Sequence, residues 1–118
     1  MNRPDIPLLA LIVPCYNEEE ILPKTMDALS SVLIECKAKG LIQDESYALY
    51  VNDGSADGSL AILDSLAERD SRVKVVSFSR NFGHEAAMIA GLDYSSGDAV
   101  VCMDADLQHP PECIPRIL

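Results

Sequence analysis

The sequence reads as an α/β domain with a parallel, Rossmann-like sheet and helices on both of its faces. Four short apolar runs alternate with segments of helical period, the mark of strands joined by crossover helices. No two-residue turn signal links any pair of runs, so the strands are expected to lie parallel. Every conspicuous polar cluster stands where an apolar run ends. Parallel sheets bind ligands at the carboxyl ends of their strands, so these clusters mark a site as well as a fold.

The first run, Leu8 to Val13, is continuous, as befits a strand buried on both faces. Pro14 is expected to stop it, with Tyr16, Asn17 and Glu18 as the exit loop. A helix follows from about Glu19, carrying Leu22, Met26, Leu29, Leu33 and Cys36 on one stripe, and Gly40 is placed as its stop. Glu19 and Glu20 read as first-turn acids favoured by the helix dipole. The second run, Tyr47 to Val51, ends in Asn52-Asp53-Gly54-Ser55 and then Ala56-Asp57-Gly58-Ser59. Ser55 or Asp57 is expected to cap a second helix whose face carries Ile62, Leu63, Leu66 and Ala67. Val73 to Phe78 is the third strand and Ser79 to His84 its exit loop. An Ala-rich helix spans Glu85 to Tyr94, and Ala99 to Met103 is the fourth strand. After Asp104-Ala105-Asp106, Pro110 and Pro111 suit the opening of one more helix.

The 118 residues suffice for one domain, and 48% hydrophobic content argues for a packed core. No apolar run approaches the roughly 20 residues of a membrane span, and the N-terminus lacks the pattern of a signal peptide. The chain as it stands is therefore expected to be soluble and cytoplasmic. A net charge of −10 argues against nucleic acid and against unaided attraction to anionic lipid. Cys15, Cys36, Cys102 and Cys113 show no paired spacing and sit in apolar stretches, so buried free thiols are expected.

Asp104 and Asp106 carry the sharpest chemistry. Alternate residues of an extended segment point the same way, so both carboxylates can aim at one spot beyond a strand end. Two such carboxylates suit a hard ion such as Mg²⁺ or Mn²⁺, the ions that accompany diphosphates. Tyr16 can stack on a base, and Glu18 and Asp53 can accept hydrogen bonds from a ribose or a base. Gly54 lets the backbone approach a ligand closely. Arg80 can pair with a phosphate or a nearby acid, beside a helix start that itself favours anions. His84 and His109 read first as surface or structural residues. Where a dinucleotide fold carries Gly-x-Gly-x-x-Gly, this chain has Pro-Cys-Tyr-Asn-Glu, and no phosphate-loop motif occurs.

Taken in order, VPCYNEEE, VNDGSADGS, SRNFGHEAA and MDADLQHPPE resemble the family 2 glycosyltransferases of the GT-A fold. The likeness is strongest to the branch that moves a sugar from a nucleotide-sugar onto a dolichyl or undecaprenyl phosphate. It runs from about Leu8 to the last residue and implies that residues 1–118 are one nucleotide-sugar-binding subdomain, incomplete at its C-terminus. It implies that Pro14, Tyr16, Glu18 and Asp53 hold the nucleoside, with Asn17, Val51, Arg80, Asp104 and Ala105 in the same donor site. Asp104 and Asp106 become the catalytic Asp-x-Asp, contacting ribose or diphosphate and, with Gln108, the Mg²⁺ or Mn²⁺ ion. Asn52 and His84 depart from the Asp and the Lys or Gln that relatives often carry.

The resemblance further implies an inverting, metal-dependent transfer from a UDP- or GDP-linked sugar to a lipid-phosphate acceptor. The full-length form is then expected at the cytoplasmic face of a membrane, and an unfinished sheet edge allows a homo-oligomer. Two other readings stand beside it. One is a non-catalytic nucleotide- or metal-binding module, and the other a family 2 transferase acting on a saccharide hydroxyl.

Overall fold

The computed structural model describes residues 6–95 and 97–105. Strands β1 (Leu9–Cys15), β2 (Tyr47–Asn52), β3 (Val73–Ser77) and β4 (Ala99–Cys102) form one sheet in the order β3-β2-β1-β4. All three pairings are parallel; Ile12, for example, stands between Leu49 of β2 and Cys102 of β4. Helices α1 (Leu22–Ala38), α2 (Ser59–Arg69) and α3 (His84–Tyr94) make the crossovers.

The strand order explains where the helices lie. From β1 to β3 the chain steps steadily one way, and then it steps back past β1 to place β4. Right-handed crossovers in opposite directions put their helices on opposite faces. Alternation along β1 records this. Leu9, Leu11, Val13 and Cys15 join Leu22, Met26, Leu29, Leu33 and Leu63 of α1 and α2 in the larger core. Ala10 and Ile12 face the other way, with Leu49, Val51 and Ala87 of α3. At Gly91 the third helix lies so close that a Cβ would overlap the Ile12 side chain. That face is thinner, and Ile89, Leu92, Tyr94 and Val100 remain exposed on or beside α3.

The α1 helix ends as expected: Gly40 has φ 71°, and the Leu41 amide donates to the Cys36 carbonyl at 2.9 Å. Four other expectations need correcting. β1 does not stop at Pro14 but continues through it to Cys15, in register with Val51 and Asn52. The Met103 amide donates to the Ile12 carbonyl, so alternation puts the nitrogen of Pro14 on the β4 side as well. β4 has already ended there, and the missing N–H breaks no ladder bond. Glu19 and Glu20 precede the helix, because the chain first turns on the Glu18 carbonyl, which accepts from both Ile21 and Leu22.

Neither Ser55 nor Asp57 occupies the cap position of α2, which falls to Gly58. Asp57 acts from one residue further out, accepting the Ser59 amide at 2.9 Å. Cys102 is exposed, since α3 covers β1 and β2 but leaves the same face of β4 open; Cys15 and Cys36 are buried and free. Cys113 and the helix expected after Pro110 lie outside the described residues. Among the described residues no helix is long and apolar enough to cross a membrane.

Candidate donor site at the strand ends

The order β3-β2-β1-β4 reverses direction between β1 and β4, so the crevice beyond those two strands is where such a sheet takes a ligand. A cavity of about 620 Å³ opens there. It is lined by Pro14, Cys15, Tyr16 and Glu18 after β1, Asp53 after β2, Asn81, Gly83 and His84 after β3, and Asp104 and Ala105 after β4. All four exit loops contribute. Tyr16 is 47% exposed and offers a ring face.

Two of the loops are braced against each other. Asn17 sits at φ 52°, a left-handed conformation that Asn tolerates better than most residues. Its side-chain oxygen accepts the Ala56 amide at 2.7 Å, while its own amide donates to the Ser55 hydroxyl at 3.0 Å. The Glu18 amide donates to Ser59 Oγ at 2.9 Å and that of Glu19 to Asp57 at 3.2 Å. Hydrogen bonds from Ser59 hold the Asp57 carboxyl below the usual carboxylate range. Asn17 thus fixes the loop and does not line the cavity.

Asp53 is buried beneath the next loop. Its carboxylate accepts from Phe82 N at 2.8 Å, Gly83 N at 3.0 Å and Asn81 Nδ2 at 3.0 Å. Gly54, at φ 66°, lies against that same loop, and a Cβ there would fall on the Arg80–Asn81 peptide. Arg80 itself turns away. Its guanidinium lies 4.7 Å over the Phe82 ring, and it is absent from the described cavity wall. Val51 is fully buried in the sheet and likewise does not reach the cavity.

On the far side Asp104 projects into the cavity between two buried residues, Met103 and Ala105. The Ala105 carbonyl accepts the hydroxyl of Thr25, a buried residue of α1, which ties the acidic turn to the core. Sequence reading gave no sign of Thr25, because a Thr on a buried helical stripe looks like packing. His84 Nε2 stands 3.6 Å from Asp104 Oδ1, both side chains being about half exposed. The sequence had placed His84 on the surface, and its position at the start of α3 became meaningful only when β4 came alongside. Burial and the Glu18 carboxylate push the Cys15 thiol up to about 12, which favours the protonated form.

Asp106 and Gln108, the rest of the expected metal set, lie outside the described residues. Among the described residues no three His, Cys, Asp or Glu side chains stand together as a metal cage. Asp104 does have the chemistry of a hard-ion ligand, with a partly solvated carboxylate at the cavity wall and a single imidazole beside it.

The family model for glycosyl transferase family 2 matches residues 10–118. The chain belongs to that family. An uncharacterized glycosyltransferase of Bacillus subtilis is 47% identical over 106 residues, covering 89% of this chain and 31% of the relative. The bactoprenol glucosyl transferase of Shigella phage SfX is 42% identical, covering 93% and 34%. An undecaprenyl-phosphate 4-deoxy-4-formamido-L-arabinose transferase of Aeromonas hydrophila is 40% identical, covering 100% and 35%. The chain therefore spans about a third of the length of these curated relatives.

Among solved structures, a Pyrobaculum calidifontis mannosyltransferase in complex with GDP-Man and Mn²⁺ superposes with a TM-score of 0.69. It is 24% identical, over 85% of this chain and 28% of the other. Staphylococcus aureus TarS in complex with UDP-GlcNAc gives a TM-score of 0.65 at 24% identity, over 83% and 26%. These likenesses establish the fold, the GT-A sheet that the sequence had suggested.

Proposed function

We propose that this chain forms the donor-binding part of an inverting, metal-dependent glycosyltransferase that carries sugar from a nucleotide diphosphate to a polyprenyl phosphate. The observation that carries the reading is the cavity at the β1–β4 reversal, where all four exit loops of a family 2 chain bring polar groups to one place. The names of the bactoprenol and undecaprenyl-phosphate relatives support the lipid acceptor. Neighbours with GDP-Man, UDP-GlcNAc and Mn²⁺ in their titles support the donor and the ion.

Tyr16 stacks on the base, and Pro14 and Glu18 line the nucleoside's wall, with Asp53 as the floor. Asp104, with Asp106 and Gln108, would hold the Mg²⁺ or Mn²⁺ ion that accompanies the diphosphate. Such an ion, when bound, offsets the negative charge that grows on the departing nucleotide. The acceptor oxygen attacks the anomeric carbon from the face opposite the nucleotide, which inverts that centre. A lipid phosphate is already ionised near neutral pH and needs positioning more than a general base. In a full-length form this chemistry takes place at the cytoplasmic face of a membrane.

Titration calorimetry with UDP, GDP and their sugars, with and without Mn²⁺, tests the donor site. Metal-dependent binding that disappears in Asp104→Ala is the expected result. A folded chain that binds no nucleotide at millimolar concentration with the metal present overturns it.

A further inference from the structure

The charged side chains on the described wall of the donor cavity are acids: Glu18, Asp53 and Asp104 all line it. A diphosphate brings more negative charge into the same cleft, which is costly unless N–H groups or cations meet it there. Most donors of the β3–α3 loop are committed elsewhere. The amides of Phe82 and Gly83 and the Asn81 Nδ2 group donate to Asp53, and the Arg80 guanidinium lies over the Phe82 ring.

His84 comes next, as the first residue of α3. It stands three and seven residues before Ala87 and Gly91, the two buried positions of that helix, and so shares their face. Gly91 lies against Ile12 of β1, so this face carries the imidazole over the strand ends, where it lines the cavity half exposed. Its Nε2 is 3.6 Å from Asp104 Oδ1, close but longer than a hydrogen bond, so the carboxylate does not occupy the ring N–H. A second hollow of about 150 Å³, which His84 shares with Met88 and Cys102, gives the ring room to turn. Among the described residues that line the donor cavity, only His84 has a side chain that can become a cation.

We propose that His84 is a donor-binding residue whose ring N–H donates to a phosphate oxygen of the nucleotide. The proposal rests on the donor-site reading and names the group that meets the phosphates. The ring's neighbour in the cavity is Asp104, so its donor serves the part of the nucleotide that the ion accompanies. The role asks only for an N–H, which the neutral imidazole carries as the charged one does.

Calorimetry with Mg²⁺ separates a phosphate contact from general damage to the cavity. The ligands are the nucleoside, monophosphate and diphosphate of uracil and of guanine, and the proteins are wild type, His84→Ala and His84→Gln. In His84→Ala the diphosphate that binds better is expected to weaken about tenfold, while its nucleoside stays within about twofold. His84→Gln restores an N–H donor and is expected to recover most of that loss. Equal weakening of nucleoside and diphosphate overturns the proposal, as does an unchanged diphosphate affinity. A His84→Gln variant as weak as His84→Ala overturns it too, because the loss then follows the ring and not its N–H.

A second measurement uses no nucleoside. The chain has two histidines, so the His84 ring proton resonances are identified by their absence from His84→Ala. Inorganic pyrophosphate with Mg²⁺ is expected to shift them in the wild type, and unmoved resonances at saturating pyrophosphate overturn the contact. If the wild type binds no nucleotide, the donor-site reading fails, and the pyrophosphate result still decides the phosphate contact. If it binds diphosphates but every variant matches it, the donor-site reading stands and this proposal falls.

Discussion

Asp53 and Asp104 are both aspartates at the carboxyl end of a strand, one after β2 and one after β4. Their surroundings differ at every point. Asp53 is 3% exposed and holds three N–H donors from a neighbouring loop, whereas the Asp104 side chain is 42% exposed with one imidazole nearby. The difference comes from their places in the strand order. β2 is interior, so its exit loop is roofed by the loops of β1 and β3. Among the described residues β4 lies at the sheet edge beside the reversal, and its exit residue Asp104 lines the crevice. What its neighbours place above a strand-end carboxylate decides how much of it stays open to the cavity.

Stability measurements can break that comparison. Asp53→Ala leaves two backbone amides and a side-chain amide without their acceptor, and is expected to cost about 3 kcal/mol in urea unfolding. A loss below about 0.5 kcal/mol would show that the loop does not depend on it. Gly54→Ala forces a side chain into a left-handed site already occupied by the Arg80–Asn81 peptide, at about 2 kcal/mol.

Asp70 provides an intermediate case. It pairs with Arg72 through two hydrogen bonds of 2.9 and 3.0 Å but stays close to the surface. Those bonds depress its carboxyl below the ordinary 3.8. A depressed acid stabilises the fold above its unfolded value and loses that contribution as pH falls through the folded one. Wild type is thus expected to lose about 0.5–1 kcal/mol below roughly pH 4 that Asp70→Asn does not lose. Parallel pH profiles for the two proteins would remove this contribution. Asp104→Ala is expected to change stability by no more than about 0.5 kcal/mol, while metal-dependent nucleotide affinity falls by at least about tenfold, or roughly 1.4 kcal/mol. If its melting temperature drops as far as that of Asp53→Ala, the two aspartates are not different in kind.

Most of the fold was legible in the sequence because it depends on periodicity. Each apolar run became a strand and each stripe a helix, and Gly40 stopped α1 for the reason expected of it. What escaped notice depends on contacts between segments distant in the chain. Pro14 looked like a strand stop, since a single sequence does not show that its nitrogen faces the side where β4 has ended. Asn17 and Arg80 looked like ligand groups, and nothing in their local sequence shows that one bonds the loop after β2 and the other lies over the Phe82 ring. Thr25 went unnoticed, and His84 was read as a surface residue without its neighbour, because their partners, Ala105 and Asp104, lie 80 and 20 residues away. The four motifs fall at the strand ends around one cavity, but which of their members line it depends on tertiary structure.

The proline in β1 has one further consequence. Two parallel strands tend to keep pairing as long as donors and acceptors alternate along both. At Pro14 the β1 side has no donor to offer, and pairing with β4 ends just before it, at Ile12 and Cys102. Tyr16 and Asp104 stand beyond that point, one after each strand. A residue with an amide at position 14 would offer one more donor toward β4. Pro14 thus leaves the mouth of the opening without a backbone donor on the side of β4.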